Sequence, residues 1–188
     1  NEDSFSHQGK HYTIPAKVPY RGYELEDITL VPRPINLPVE MWQPIASGRT
    51  LEYIARKGIK GMVALTGELL VEQLFRSYQE YAALAGRDLA LGQDMGLGFG
   101  FCIDESREAA IEKVRPYHDE RYKWFAPFGF VRYTDSQGRP WGTPGAPSRV
   151  PTIEEGVAQN VWLCGPPSLV IDRLQEVEQK YPGLEDVV

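Results

Sequence analysis

After Pro38 the sequence alternates short apolar runs with longer amphipathic segments, and this alternation restricts the possible folds more than any other feature. A short apolar strand followed by a helix with one apolar face is the repeating unit of α/β proteins. The pattern therefore predicts βα units and a parallel sheet over residues 39–124. Residues 1–38 are instead rich in proline and charge, which favours an extended lead-in with strand fragments over a long helix.

Two βα units open the predicted series. The first has a strand from Met41 to Ala46 and a helix from Arg49 to Lys57, closed by Gly58. The second has a strand from Ile59 to Leu65 and a long helix after Gly67. The apolar residues of that helix recur at helical spacing and are predicted to form its buried face: Leu70, Leu74, Tyr78, Tyr81 and Ala85.

The remaining residues predict one more unit, a loop and a closing segment. The third strand is predicted within residues 89–103, and the helix after Asp104 has the apolar members Ala109, Ile111, Val114 and Tyr117. Residues 125–151 are rich in glycine, proline and aromatic side chains, which predicts an insertion or lid loop. Residues 152–188 are predicted to form closing helices and a last strand within 183–188.

The number of units predicts the fold class. A complete (β/α)8 barrel takes about 250 residues, whereas this chain has 188 residues and four predicted strands with three intervening helical connections. We therefore predict an α/β fold, a TIM-type barrel represented by its C-terminal half with a loop insertion, and treat residues 1–188 as one domain. An unclosed barrel exposes apolar strand edges, so a homodimer or a companion barrel segment is expected to cover them.

Composition narrows the set of partners. The formal net charge of −6 argues against a nucleic acid held by a basic surface. No apolar run reaches the roughly 20 residues that a membrane-spanning helix needs. Cys102 and Cys164 lie far apart without metal-ligand spacing, which indicates neither a disulfide framework nor a zinc site. We expect a cytoplasmic protein with no nucleic-acid or membrane partner.

The segment Ser47-Gly48-Arg49-Thr50 joins the first predicted strand to its helix. Free backbone N–H groups at such a helix start attract anions, phosphate above all. The hydroxyls of Ser47 and Thr50 and the charge of Arg49 strengthen such a site, while Gly48 lets a ligand approach the backbone. The alternative is that Ser47 is an ordinary N-cap and Arg49 a solvated side chain.

Other polar and glycine-rich features receive structural interpretations. His7 and His11 are four residues apart but lie in a strand-like lead-in, so no metal site is predicted. The segment Gly96–Gly100 lacks the spacing of a dinucleotide-binding loop and is predicted to pack closely inside a strand. His118 is predicted to lie on the solvated face of a charged helix. The loop around Trp141 is a candidate to close over a substrate.

Four segments of the sequence follow one another in an order and spacing that match a known family. They are LVPRPINLPVEMWQPIASGRTLEYIARKGIKGMVAL, YQEYAALAGRD, FCIDESREAAIEKVRP and LCGPPSLVIDRLQEVEQKYPGLEDVV. Together they resemble the central and C-terminal part of the bacterial luciferase-like flavin monooxygenases. The resemblance extends from about Gly9 onward.

The resemblance implies that the turn at Ser47 binds the phosphate of reduced flavin through backbone N–H groups and the hydroxyls of Ser47 and Thr50. Ala46 stands where luciferase has an acidic residue, so only a backbone contact is implied there. Leu65 and Thr66 match the region that lines the isoalloxazine ring, although Leu65 replaces an aromatic residue. The implied cofactor-binding residues are Ala46, Ser47, Gly48, Arg49, Thr50, Leu65 and Thr66. No catalytic residue is assigned, because in this family those residues come from the first half of the barrel.

The activity implied by the resemblance is that of an oxidoreductase. A monooxygenase of this kind uses reduced FMN, supplied by a flavin reductase, and O2 to oxygenate a small organic substrate through a C4a-peroxyflavin. Two alternatives stay open. One is an F420-dependent oxidoreductase of the same superfamily, because F420 presents a phosphate to the same turn. The other is a flavin-holding protein without turnover.

Overall fold

The computed structural model of the protein describes residues 3–17, 24–45, 47–144 and 149–188. The chain forms two units, residues 1–40 and residues 41–188. In the first unit, strands β1 (His7–Gln8) and β2 (Thr13–Ile14) pair antiparallel. An isolated antiparallel bridge joins Phe5 to Ile28. The strand fragments predicted for the lead-in are therefore confirmed.

The second unit carries the predicted alternation of strands and helices. In chain order its elements are β3 (Trp42–Pro44), α1 (Gly48–Lys57), β4 (Lys60–Ala64), α2 (Glu68–Leu84), β5 (Met95–Gly98), β6 (Gly100–Ile103), α3 (Arg107–Phe125), α4 (Ile153–Ala158), β7 (Trp162–Gly165), α5 (Pro167–Lys180) and β8 (Asp186–Val187). The predicted βα units and the last strand agree with these elements.

The pairs between the strands named above for the second unit are parallel. One sheet has the order β3-β4-β5-β8, and β6 pairs with β7. β5 and β6 form one extended run interrupted at Phe99, whose N–H donates to the Val188 carbonyl over 2.8 Å. Cys102 and Cys164 are cross-strand partners in the β6–β7 pair, and both are free. The α/β class and the parallel sheet are confirmed.

The prediction missed strand β7. The sequence predicts no strand at residues 162–165, because a run of four residues between two helices carries too little local pattern to identify one. Its partner β6 comes from far earlier in the chain, so pairing rather than local pattern fixes its conformation.

The main core lies between the first sheet and the helices α1 and α2, and it corrects the predicted face of α2. The fully buried residues of α2 are Val71, Phe75, Tyr78 and Ala82. The predicted face of Leu70, Leu74, Tyr78, Tyr81 and Ala85 is therefore rotated by about one residue, and only Tyr78 is shared. The reason is a long-range contact: the Phe75 ring packs edge-on against Tyr181 with a centroid separation of 4.8 Å.

Helix α3 corrects a second prediction. Its buried residues are Ala110, Val114, His118 and Tyr122, which follow one another at four-residue spacing along one face. Tyr117, one of the apolar members named from the sequence, is 75% exposed. His118, predicted to be solvated, has no exposed surface because it shares the face of Val114.

Part of the predicted loop region is ordered against the rest of the unit. A short 3-10 helix covers Ala126–Phe128, and Thr134 bridges to Pro140 in a small antiparallel hairpin. Tyr133 and Trp141 are buried in a cluster with Tyr122. Residues 145–148 lie outside the described part of the chain, and a lid role for residues 125–151 stays a prediction.

Two kinds of feature are absent from the described residues. None of the helices in this part of the chain has the length and apolar character that a bilayer crossing requires. Within the same residues, no group of three or more His, Cys, Asp and Glu side chains is arranged to hold a metal ion.

Candidate functional site

The turn after β3 forms the start of helix α1. Ser47 has an extended backbone (φ −152°, ψ 161°), and its Oγ accepts a hydrogen bond from the Thr50 N–H over 3.3 Å. The two hydroxyl oxygens of Ser47 and Thr50 lie 3.1 Å apart. Ser47 is thus the N-cap, as the structural interpretation of this turn predicts, and the two hydroxyls meet at the helix start.

The same turn is open toward solvent. A Cβ atom added to Gly48 meets no atom within 4 Å. The N–H groups of Gly48 and Arg49 donate to no residue that the structure describes, as is usual for the first turn of a helix. The first turn holds no acidic residue, whereas Arg56 and Lys57 occupy the last turn. An anion is therefore the charge that this helix start attracts. Ala46, the remaining residue predicted for this turn, lies outside the described residues.

The turn after β4 lies at the same edge of the sheet. β3 and β4 are parallel, with Pro44 opposite Met62, so both turns follow carboxyl ends of neighbouring strands. Leu65 adopts a left-handed backbone with φ 48°, which is rare for a leucine and marks a constrained position. Thr66 is 3% exposed, and its hydroxyl donates to the Ala64 carbonyl over 2.9 Å. The predicted contact of these residues with a flavin ring stays a prediction.

Residues distant in sequence hold this second turn in place. The Gly67 N–H donates to the Arg132 carbonyl over 2.8 Å, and the Glu68 N–H donates to the Gln159 carbonyl over 3.1 Å. The Glu68 carboxylate accepts from Asn160 over 2.6 Å and lies 3.0 Å from the Lys180 ammonium and 3.1 Å from the Arg173 guanidinium. Burial raises the pKa of Glu68, but these partners outweigh it and lower the pKa to about 2.

A cavity of about 210 Å³ opens beside the second turn. Its lining combines the end of β4, the end of α3 and the residues that follow α3: Ala64, Leu65, Arg121, Tyr122, Phe125, Phe130 and Arg132. The prediction included only Leu65 of this set. The two arginines come from an amphipathic helix and a proline-rich loop, and neither carries a local motif that would mark it.

His118 and its neighbours form a buried polar cluster next to this cavity, through the shared residue Tyr122. The His118 Nδ1 lies 3.1 Å from an Asp119 carboxylate oxygen, and its Nε2 lies 3.5 Å from the Tyr133 hydroxyl. Its ring packs against Tyr122 at 4.7 Å and Trp162 at 5.8 Å between centroids. Burial lowers the pKa of His118, although Asp119 acts in the opposite direction. The neutral imidazole is therefore favoured in this core.

Comparison with known proteins decides the family. The family model described as luciferase-like monooxygenase matches residues 1–182. The chain belongs to this family. A search of curated proteins found no match.

Solved structures of luciferase-like proteins share the fold. The oxygenating constituent of 3,6-diketocamphane monooxygenase from Pseudomonas putida, a type II Baeyer–Villiger monooxygenase in complex with FMN, is 18% identical with a TM-score of 0.65, covering 98% of this chain and 50% of that chain. An F420-dependent secondary alcohol dehydrogenase is 11% identical with a TM-score of 0.58, covering 100% of this chain and 50% of that chain. Flavoprotein 390 is 17% identical with a TM-score of 0.56, covering 87% of this chain and 61% of that chain.

These similarities place the second unit within a known architecture. The chain spans about half the length of the first two structures. With the family match, they confirm the predicted fold class: an α/β fold that corresponds to part of a TIM-type barrel. In such barrels the carboxyl edge of the sheet carries the active site, and that is the edge on which the Ser47 turn and the Leu65 turn lie.

Proposed function

We propose that this luciferase-like protein binds reduced FMN, supplied by a separate flavin reductase, and uses O2 to oxygenate a small organic substrate. One observation carries the proposal: the paired hydroxyls of Ser47 and Thr50, 3.1 Å apart, at an open helix start on the carboxyl edge of the sheet. Family membership supports the reaction class. The complex of the diketocamphane monooxygenase with FMN supports the cofactor.

The described residues of the turn fit a phosphate group. Two backbone N–H groups, of Gly48 and Arg49, and two hydroxyls, of Ser47 and Thr50, converge on the open start of α1. The exposed Arg49 side chain adds a positive charge at the same place. Hydrogen bonds to a charged group contribute about 1.5–3 kcal/mol each, so these groups would favour FMN over a flavin that lacks the phosphate.

The bound flavin supplies the oxygen-activating chemistry. The residues of this chain have the tasks of holding the phosphate at the Ser47 turn and presenting an apolar wall at Leu65 that excludes water from the ring. No residue of the chain is assigned a proton-transfer role. Phe101 and Val188 are 63% and 64% exposed, and we propose that a homodimer partner or companion barrel segment covers such apolar surface.

An F420-dependent oxidoreductase is the second candidate. The similarity to the F420-dependent alcohol dehydrogenase, with a TM-score of 0.58 over 100% of this chain, favours it. A phosphate-binding turn serves either cofactor, so the geometry of Ser47 and Thr50 does not separate the two.

Anaerobic titration of the intact protein with reduced FMN and, separately, with reduced F420 distinguishes these candidates. We expect tighter binding of reduced FMN, and a reaction of that complex with O2 whose rate saturates with protein concentration. Preferential binding of reduced F420 would establish the second candidate instead. A protein that binds FMN but forms no complex that reacts with O2 would be a flavin-holding protein, and the proposed enzyme would be rejected.

A further inference from the structure

Arg132 is a largely buried cation at the carboxyl edge of β4. It pairs with Thr66 in a parallel bridge, which places it beside the end of that strand and in the wall of the 210 Å³ cavity. Its Nε is buried, and its guanidinium forms no hydrogen bond or ion pair with any residue that the structure describes. Burial lowers the pKa of Arg132, and no charged neighbour opposes this effect.

Two other partly buried arginines show that this situation is unusual within the described residues. Arg87 lies 2.6 Å from an Asp94 carboxylate oxygen, and Arg173 lies 3.1 Å from Glu68 and 2.8 Å from Glu176. Burial acts to lower the pKa of both, but hydrogen bonds to these acceptors raise it. Arg87 and Arg173 therefore stabilise the fold through their ion pairs, whereas Arg132 has no such role.

A second guanidinium lies in the same cavity. Arg121 stacks over the Phe125 ring, with 5.1 Å between its guanidinium carbon and the ring centroid. The cavity lining contains no acidic residue, and its remaining walls include the apolar side chains of Leu65, Phe125 and Phe130. Among the described residues, neither Arg132 nor the exposed Arg121 has a carboxylate partner, although the net charge of the chain is −6. A buried unpaired charge costs several kcal/mol, so a ligand anion would offset a cost that the fold leaves in place.

We propose that Arg132, assisted by Arg121, binds the anionic group of an organic acid, a carboxylate or sulfonate, and that this anion belongs to the substrate of the proposed oxygenation. The apolar walls receive the hydrocarbon part of the same molecule. The planar guanidinium of Arg132 matches the two oxygens of such a group. The site is separate in sequence from the Ser47 turn, which is assigned to the cofactor phosphate, and this inference rests on that assignment.

Hexanoate is a suitable probe, with hexanamide as its neutral counterpart of the same size. Binding is measured by calorimetry on the intact protein, and NMR of the side-chain Nε–H of Arg132 reports whether the anion reaches that group. The variants are Arg132→Met, Arg132→Lys and, as a control on the exposed face of α2, Arg76→Met, whose arginine pairs with Glu72 over 2.8 Å. Because Arg132→Met removes an unpaired buried charge, its melting temperature should not fall, which separates a binding defect from a folding defect.

We expect hexanoate to bind at least about tenfold more tightly than hexanamide and to shift the Arg132 Nε–H signal. Arg132→Met should remove that tenfold preference, Arg132→Lys should keep part of it, and Arg76→Met should keep all of it. Affinity for FMN should be unchanged in all three variants. The proposal is overturned if hexanoate and hexanamide bind equally, or if Arg132→Met weakens FMN binding and leaves hexanoate unaffected, which would assign the guanidinium to the cofactor. Hexanoate binding at Arg132 without any FMN binding would support the anion site and reject the proposed cofactor.

Discussion

The two turns at the carboxyl edge of the sheet are built in opposite ways. The start of helix α1 is held by a contact within the segment 47–50: Ser47 caps the helix by accepting a hydrogen bond from the Thr50 N–H. The neighbouring residues Gly48 and Arg49 are exposed. Helix α2 starts with contacts from distant parts of the chain, where Arg132, Gln159 and Lys180 meet Gly67 and Glu68. The first turn keeps its polar groups available to a ligand. The second turn uses most of its polar groups for the fold, and the Arg132 guanidinium beside it has no partner among the described residues.

The open polar groups therefore lie at the start of α1, whereas the polar groups of Gly67 and Glu68 at the start of α2 anchor the fold. Variants of the first turn should alter the affinity for the cofactor phosphate, and their effects on stability should be confined to the start of α1. Variants of Gly67 and Glu68 in the second turn should mainly alter stability, whereas variants of the Arg132 side chain should alter ligand binding. Loss of FMN affinity in Glu68 variants, with none in Ser47 variants, would contradict this division of roles.

The largest expected effect is at the second turn. Replacing Glu68 with Ala leaves Arg173 and Lys180 without their shared carboxylate, so we expect a loss of about 2 kcal/mol in the free energy of unfolding. Glu52→Ala in α1 is the matched control, because its exposed ion pair with Arg56 over 3.0 Å contributes little. Urea denaturation of both variants measures the difference, and equal losses would contradict the distinction between the two turns.

The lowered pKa of Glu68 makes the free energy of unfolding depend on pH. The pKa of Glu68 is lowered from 4.5 to about 2 in the folded protein, so its contribution is complete above about pH 4.5 and is lost as the pH falls toward 2. The difference in unfolding free energy between wild type and Glu68→Gln should therefore shrink from pH 6 to pH 3. Denaturation at several pH values tests this, and a constant difference would show that the ionised carboxylate is not the stabilising species.

The glycines Gly67 and Gly48, one in each turn, should differ in the effect of an alanine substitution on stability, and these effects are smaller than that of Glu68→Ala. A Cβ at Gly67 would lie 2.5 Å from the Gln159 amide oxygen, which Thr134 already holds with its N–H over 2.8 Å. We expect Gly67→Ala to cost about 1–2 kcal/mol. Gly48→Ala meets no atom within 4 Å and should stabilise the protein by about 0.5–1 kcal/mol.

The Gly48 variant also tests the ligand role of the first turn. Gly48 is the first residue of α1, so a methyl group there should restrict the approach of a phosphate to the backbone and weaken FMN binding although it stabilises the fold. A Gly48→Ala protein with higher stability and unchanged FMN affinity would remove the turn from the proposed site.

The sequence predicted what depends on local pattern. The strand and helix around Ser47, the N-cap and the C-terminal glycine with φ 68° all follow from residue types within one or two turns of helix. The strand β7, the rotated face of α2 and the burial of His118 depend on partners elsewhere in the chain, and these were missed or wrong. Arg132 belongs to the second group, because its position beside Thr66 is set by tertiary pairing rather than by any motif.

The assignment of the Ser47 turn to the cofactor phosphate is tested most directly by comparing two binding affinities, for FMN and for riboflavin, which lacks the phosphate. Both are measured in wild type and in the double variant Ser47→Ala and Thr50→Ala. Ser106→Ala is the matched control, since Ser106 caps α3 with the same geometry, accepting from the Ala109 N–H over 3.1 Å. Wild type and Ser106→Ala should bind FMN at least about tenfold more tightly than riboflavin, and the double variant should lose that preference. Equal preference for FMN in all three proteins would contradict the assignment of the Ser47 turn to the cofactor phosphate.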